Sequence, residues 1–155
     1  MSQHSTIIAW NHFPHQEEAN TYSRDHLLRL GGNQDVKMSA ATSFKGSLNC
    51  ADPEQLFISA IASCHMLTFL AVAELQGYKV ASYEDEPIGQ LDKTSAGAMA
   101  ITKVTLSPII KFFGNRIPTE EVVNKIHASA KKNCFIGNSV NTEIVLDVAY
   151  EIGRS

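Results

Sequence analysis

Two cysteines carry the chemistry this sequence could perform. Cys64 lies inside a long apolar run, Gln55-Leu-Phe-Ile-Ser-Ala-Ile-Ala-Ser-Cys-His-Met-Leu-Thr-Phe-Leu-Ala-Val-Ala73. Cys134 follows a basic stretch, in Ala130-Lys-Lys-Asn-Cys-Phe-Ile-Gly-Asn-Ser-Val140. A cysteine is either a small hydrophobe or, as its thiolate, a nucleophile. On position alone Cys64 reads as packing, because free cysteine is among the most buried residue types. The reactive reading needs more. Burial disfavours the charged thiolate, and the middle of a helix gains little from the helix dipole. A cation must therefore reach Cys64 from elsewhere, and arginine suits the role because it stays charged when desolvated. The chain has Arg24, Arg29, Arg116 and Arg154. Arg24 and Arg29 fall at the start and end of one expected strand before the Cys64 helix, and the sequence alone does not choose between them. The third cysteine, Cys50, sits in an expected loop without a basic or histidine neighbour and is assigned no role.

The elements that must position these thiols follow from local signals. Asp52-Pro-Glu-Gln55 opens a helix: aspartate caps free amides, proline suits the first helical position, and Glu54 suits the positive end of the dipole. Gly77 is the natural stop, so the helix is expected over Pro53–Gln76. It is apolar nearly all round and is expected to be buried on most sides. Before it, Ser5–Phe13 reads as a first strand. Asp25–Leu30 and Val36–Ala41 flank Gly31-Gly-Asn-Gln-Asp35 as a hairpin, followed by a loop carrying Gly46. After it, Tyr78–Gln90 and Met99–Phe113 read as two long strands joined around Asp92–Gly97, with Pro108 marking an edge or bulge. Pro118-Thr-Glu-Glu121 opens a second helix capped by Thr119. Its buried face carries Val122, Val123, Ile126 and Ala130, and Lys131 and Lys132 lie at its negative end. Thr142–Ile152 alternates as a final strand, with Ile144, Leu146, Val148 and Tyr150 on one face. The order βββ-α-ββ-α-β does not alternate regularly, so the fold class is α+β rather than doubly wound.

Composition narrows the function classes. The chain has 155 residues, 44% hydrophobic and 19% charged, as expected of one globular domain with a real core. A formal net charge of −3 gives no electrostatic footprint for nucleic acid or an anionic membrane. The N-terminus lacks a signal-peptide pattern. Ser59, Ser63, His65, Thr68 and Glu74 interrupt the apolar run, which favours a buried helix over a membrane span. Three cysteines make no even disulfide framework, so a cytoplasmic location and at most a transient, catalytic disulfide are expected. Cys64 and His65 are adjacent and face apart on a helix, no HxxxH or CxxC pair occurs, and His26 and His127 are isolated. No metal or other cofactor is expected.

The segment from Asp52 to Leu70, with Pro-Glu-Gln-Leu ahead of small and apolar residues and then Cys64, resembles the central helix of the OsmC/Ohr family of organic hydroperoxide reductases. Cys134-Phe-Ile-Gly-Asn-Ser-Val resembles the family's second cysteine motif. Tyr83-Glu-Asp-Glu-Pro-Ile-Gly and Val104-Thr-Leu-Ser-Pro resemble the strand region between them. The resemblance covers essentially the whole chain and implies one OsmC-like domain over residues 1–155, with two central helices, antiparallel sheets and an intertwined homodimer. It implies a thiol peroxidase in which Cys64 attacks an organic hydroperoxide and becomes a sulfenic acid. Cys134 resolves this as a disulfide, and a cellular dithiol such as a lipoyl-type reductant reduces it. The family's glutamate carries over to Glu54, and its arginine to Arg24, with Arg29 as reserve. Phe135 and His65 depart from the family pattern. The remaining reading is a noncatalytic binding or stress-response protein for small apolar ligands on the same fold.

Spacing adds a constraint. Glu54 and Cys64 are ten residues apart, which on a continuous helix is about 15 Å of rise with side chains on different sides. Either the helix breaks, or a shared site takes Glu54 from a second chain. The second is preferred.

Overall fold

The computed structural model describes residues 1–18 and 20–148. The chain forms two compact units, Met1–Leu56 and Phe57–Ser155.

The first unit is an antiparallel sheet of β1 (Ile7–Ala9), β2 (His26–Leu30) and β3 (Gln34–Met38), with β2 in the middle. The β2–β3 hairpin is closed by Gly31–Asn33, where Gly32 takes φ +71° and Asn33 φ +57°. The left-handed backbone that the Gly-Gly-Asn signal implied is therefore present. The expected first strand is shortened to three exposed residues. After β3, Asp25 gathers the loop: its carboxylate accepts hydrogen bonds from Ser39 Oγ at 2.8 Å and Ser47 Oγ at 2.6 Å. These bonds hold its pKa below the ordinary carboxylate value, the Ser47 bond contributing most. Gly46 sits where a Cβ would lie 1.5 Å from the Ala40 carbonyl oxygen, so the loop closes only around glycine.

Helix α1 (Pro53–Leu75) starts as its sequence signal required. Asp52 Oδ1 accepts from the Gln55 amide at 2.7 Å, and Gln55 Oε1 accepts from the Asp52 amide at 3.1 Å, a reciprocal capping box. It ends before Gly77, which takes φ +78°.

In the second unit α1 is followed by β4 (Lys79–Glu84), β5 (Ile88–Lys93), β6 (Met99–Leu106), β7 (Ile109–Phe113), α2 (Glu120–Asn133) and β8 (Glu143–Leu146). The two long strands read from the sequence are each divided. Proline is the reason: Pro87 and Pro108 lack the amide a ladder needs, so each falls in a break between strands rather than at an edge or bulge. The pieces sort into different sheets, β4 with β7 and β5-β6-β8. Within the second sheet β5–β6 is an antiparallel hairpin, whereas β8 joins β6 in parallel. Pairing is therefore not antiparallel throughout. Beyond residue 148 the expected final strand, including Tyr150, lies outside the described residues.

The second unit has two cores. Phe69 and Ala73 of α1 pack with Ile110 and Phe112 of β7 and Val123, Ile126 and Ala130 of α2. Ile61 and Ala62 pack with Val104 and Leu106 of β6, supported by Ile144 and Leu146 of β8. Helix α2 is capped by Thr119 Oγ1, which accepts from the Val122 amide. Its buried residues Val123, Ile126, His127 and Ala130 form one stripe.

The expectation that α1 is buried on most sides does not hold within one chain. By length and composition it is apolar enough to cross a membrane, yet few of its residues are fully buried. Ile61, His65, Phe69 and Ala73, spaced four apart, are buried. Phe57, Ile58, Leu70 and Val72 are half-buried against the two cores, whereas Ala60, Ser63, Leu67 and Ala71 are exposed among the described residues.

Candidate active site

Two stripes on α1 divide the labour. The stripe through Ile61, His65 and Phe69 enters the core. The stripe through Ala60, Cys64, Leu67 and Ala71, one residue out of phase, lines an apolar cleft of about 650 Å³. Residues three, four and seven apart share a helix face, so the same periodicity that buries His65 turns Cys64 to the cleft. Cys64 is half-buried there. The cleft's far wall is Asn133, Phe135 and Ile136, from the end of α2.

Cys134 comes from that same end. It is the residue at which α2 gives way to extended backbone, with φ −72° and ψ 113°. The turn then closes beneath it: the Asn138 amide donates to the Cys134 carbonyl at 3.0 Å, and the Gly137 amide donates to Cys134 Sγ at 3.2 Å. A Cβ on residue 137 would lie 3.4 Å from both Cys134 Sγ and Ile144 Cδ1, so glycine leaves the sulfur its room. Cys134 is 2% exposed. Burial pushes its thiol up to about 11, with the adjoining Cys64 side chain as the next cause. At neutral pH Cys134 is therefore a protonated thiol beside Cys64. Both cysteines are free. The fold thus brings together two thiols 70 residues apart in the chain, one reachable from a cleft and one sealed behind it.

Arg24 and Glu54 belong to the first unit. Arg24 lines an apolar cavity of about 440 Å³ with Trp10, Tyr22, His26 and Pro53. Its guanidinium lies 4.4 Å from the Tyr22 ring centre and donates to Thr21 Oγ1 at 3.1 Å and to the Tyr22 carbonyl. Arg29 is engaged elsewhere: its Nε and Nη2 donate to the two Asp35 oxygens at 2.7 and 2.8 Å across the exposed β2–β3 hairpin. That bidentate pair makes Arg29 a poor cation for any other group. Glu54 is in the first turn of α1. Since α1 is unbroken from Pro53 to Leu75, Glu54 does not reach the Cys64 of its own helix.

A buried histidine pair adjoins Cys64, and His127, isolated in the sequence, is not isolated in the fold. His65 Nε2 and His127 Nδ1 are 3.0 Å apart, the rings 5.3 Å apart and 7° from parallel. One ring donates and the other accepts. Both residues are 2% exposed. Desolvation lowers both to about 4, with Lys131 adding at His65 and His65 at His127. His127 also lies 4.4 Å from the Phe69 ring, and its Nε2 is buried without a partner. A signal was available: His127 lies four residues after Val123, on the buried face of α2. Tyr83 Oη and Asp85 Oδ2 are likewise buried without partners. Desolvation raises both groups, although the Ser107 amide donates to Asp85 Oδ1 at 2.8 Å.

A family model described as OsmC-like protein matches residues 45–149. An OsmC-like protein of unknown function from Vibrio cholerae is 38% identical, with 96% of this chain and 100% of that chain covered and a TM-score of 0.89. The organic hydroperoxide resistance protein OhrB of Bacillus subtilis is 15% identical, with coverage of 96% and 98% and a TM-score of 0.65. An organic hydroperoxide resistance protein from Elizabethkingia anophelis is 12% identical, with coverage of 99% and 98% and a TM-score of 0.68. The last two share the fold. No curated protein matches the sequence. With a match over most of its length and a 38% identical structural relative, the chain belongs to the OsmC-like protein family.

Proposed function

We propose that this protein is a thiol-dependent peroxidase that reduces organic hydroperoxides to alcohols. The observation that carries the reading is the juxtaposition of Cys64, at an apolar cleft, with the buried Cys134 thiol. The Cys64 thiolate attacks one oxygen of the O–O bond. The bond breaks heterolytically, the alkoxide leaves and takes a proton as the alcohol, and Cys64 becomes a sulfenic acid. Cys134 then attacks the oxidised sulfur, the S–S bond forms and water leaves. A lipoyl-type dithiol restores both thiols by exchange. The apolar walls of the cleft favour a peroxide with a hydrocarbon body over hydrogen peroxide. The likeness to proteins named for organic hydroperoxide resistance is consistent with this class.

Arg24 is assigned to hold the reacting sulfur and substrate, in preference to Arg29, which is committed to Asp35. Glu54 is assigned to the same site through a second copy of the chain. Two observations support a homodimer: α1 is continuous between Glu54 and Cys64, and the α1 face carrying Ala60, Leu67 and Ala71 is exposed among the described residues. A protein working this way suits the reducing cytoplasm, where its disulfide forms transiently.

Thiol titration tests the reading. Stoichiometric cumene hydroperoxide should remove two thiols per chain, and a dithiol should restore them. Unchanged thiols would leave a noncatalytic binding protein. Cys64→Ser should keep the fold and lose turnover, and retained turnover would exclude Cys64 as the nucleophile.

A further inference from the structure

The His65–His127 pair ties together the two helices that carry the cysteines. His65 directly follows Cys64, and one residue along a helix fixes the rotation of its neighbour. His127 lies seven residues, about two turns, before Cys134. A hydrogen bond of 3.0 Å between two rings that are each 2% exposed is stiff, because neither ring has solvent as an alternative partner. Phe69, one turn further along α1, packs against the His127 ring at 4.4 Å between ring centres. The pair sits where α1's two core clusters meet, Ile61 and Ala62 on one side and Phe69 and Ala73 on the other. Simple packing would be served better by apolar rings, since a polar pair here leaves His127 Nε2 buried without a partner. A device that sets angle and distance between the helices accounts for that cost, because a hydrogen bond has one favoured geometry and an apolar contact has many.

We propose that His65 and His127 are positioning residues that set the rotation of α1 against α2 so that the Cys134 sulfur can attack the Cys64 sulfur. The inference rests on the assignment of Cys64 and Cys134 as a reacting pair and adds the part of the fold that aligns them. Attack on a sulfur requires the incoming thiolate in line with the departing group. Loss of the histidine bond should therefore slow closure of the disulfide without changing how Cys64 meets an external reagent.

An aromatic disulfide, 5,5′-dithiobis(2-nitrobenzoate), separates the two steps. In a Cys50→Ser full-length background the Cys64 thiolate attacks the reagent. One thionitrobenzoate leaves, and a mixed disulfide forms on Cys64. The Cys134 thiolate then attacks the Cys64 sulfur. The internal S–S bond forms, and the second thionitrobenzoate leaves with the electron pair of the broken bond. The first phase depends on reagent concentration, and the second is an intramolecular constant read from the same absorbance. His127→Phe and His65→Leu each remove the bond. By contrast, His127→Asn keeps a hydrogen-bonding atom at the Nδ1 position and His65→Gln keeps one at Nε2. The double variant His65→Leu/His127→Phe removes the bond and leaves no orphaned polar group, so it serves if either single variant fails to fold.

The bond-less variants should slow the second phase about tenfold or more, given what small misplacements cost in reactions between positioned groups. The first phase should stay within about twofold, and His127→Asn should recover most of the second-phase rate. A second phase at the wild-type rate in the double variant would overturn the inference. So would equal slowing of both phases, which marks a general loss of structure. Cumene hydroperoxide consumption, followed in parallel, keeps the readings apart. If closure slows in the variants while even the wild-type protein ignores peroxide, the positioning role stands and the peroxidase reading falls. If peroxide is consumed and closure is indifferent to the variants, the reverse holds.

Discussion

Acidification between pH 6.5 and 4 should weaken the second unit through His65 and His127. Both are buried and neutral in the fold, held down to about 4, with desolvation as the first cause at each. In the unfolded chain each returns to about 6.5. Over this window the unfolded chain binds protons that the native protein refuses, so protons stabilise the unfolded state. The contribution is fully present above pH 6.5, falls as the pH drops towards 4 and levels off below it. At pH 5 the deficit is on the order of 2 kcal/mol for each histidine, or about 4 kcal/mol for the pair, against nearly nothing at pH 7. The assay is urea unfolding at pH 7 and pH 5, at fixed protein concentration so that any association is held constant. Wild-type protein is compared with His65→Leu/His127→Phe. The raised Asp85 carboxyl acts in the opposite sense but is common to both proteins and cancels on subtraction. The wild type should lose about 4 kcal/mol more than the double variant on going to pH 5. A difference below about 1 kcal/mol would refute the reasoning, because the pair would then be reaching solvent protons in the native state.

Further outcomes follow from single contacts. Closure of the Cys64–Cys134 disulfide should accelerate as the pH rises above 7, because burial, the first cause of the raised Cys134 pKa, persists when Cys64 is in the mixed disulfide and keeps the attacking thiol protonated; the intramolecular phase of the aromatic disulfide reaction measures it, and a flat profile would contradict a buried, protonated Cys134. Gly46→Ala should destabilise the protein by more than about 2 kcal/mol in denaturant titration, since its methyl would lie 1.5 Å from a backbone oxygen. Asp52→Ala should cost about 1 kcal/mol by removing one half of the capping box on α1, whereas Asp52→Asn should cost less. Arg24→Met should lower peroxide turnover far more than Arg29→Met, and the opposite ranking would move the catalytic cation to the β2–β3 hairpin. Mixing a Glu54 variant with a Cys64 variant should restore one complete site per mixed dimer, provided subunit exchange is shown independently.

Much of this protein was legible in its sequence because the informative signals are local. Asp52-Pro-Glu-Gln55 fixed the start of α1 through a side-chain and backbone geometry that spans four residues. Thr119 did the same for α2, and glycine at positions 32 and 77 marked the places where the backbone must turn left-handed. The motifs around Cys64 and Cys134 carry the resemblance to the OsmC/Ohr family. Sequence also set a constraint on geometry: Glu54 and Cys64 are ten positions apart, too far to meet on a helix that does not break.

The rest depended on contacts between distant segments. That Pro87 and Pro108 divide two strands among different sheets follows from which partner each piece finds, and pairing is a long-range choice. The parallel docking of β8 on β6 is of the same kind. Arg29 and Arg24 looked interchangeable until the β2–β3 register set Asp35 opposite Arg29. His65 and His127 are 62 positions apart and carry no shared motif. What makes them a pair is the packing of α1 on α2, which desolvates both rings and leaves each the other as its partner. The same packing lifts the Cys134 thiol and turns two cysteine motifs into one candidate reaction centre. Residue types and short spacings determined which groups could react. Burial and distance, which exist only once the helices pack, decided which of them meet.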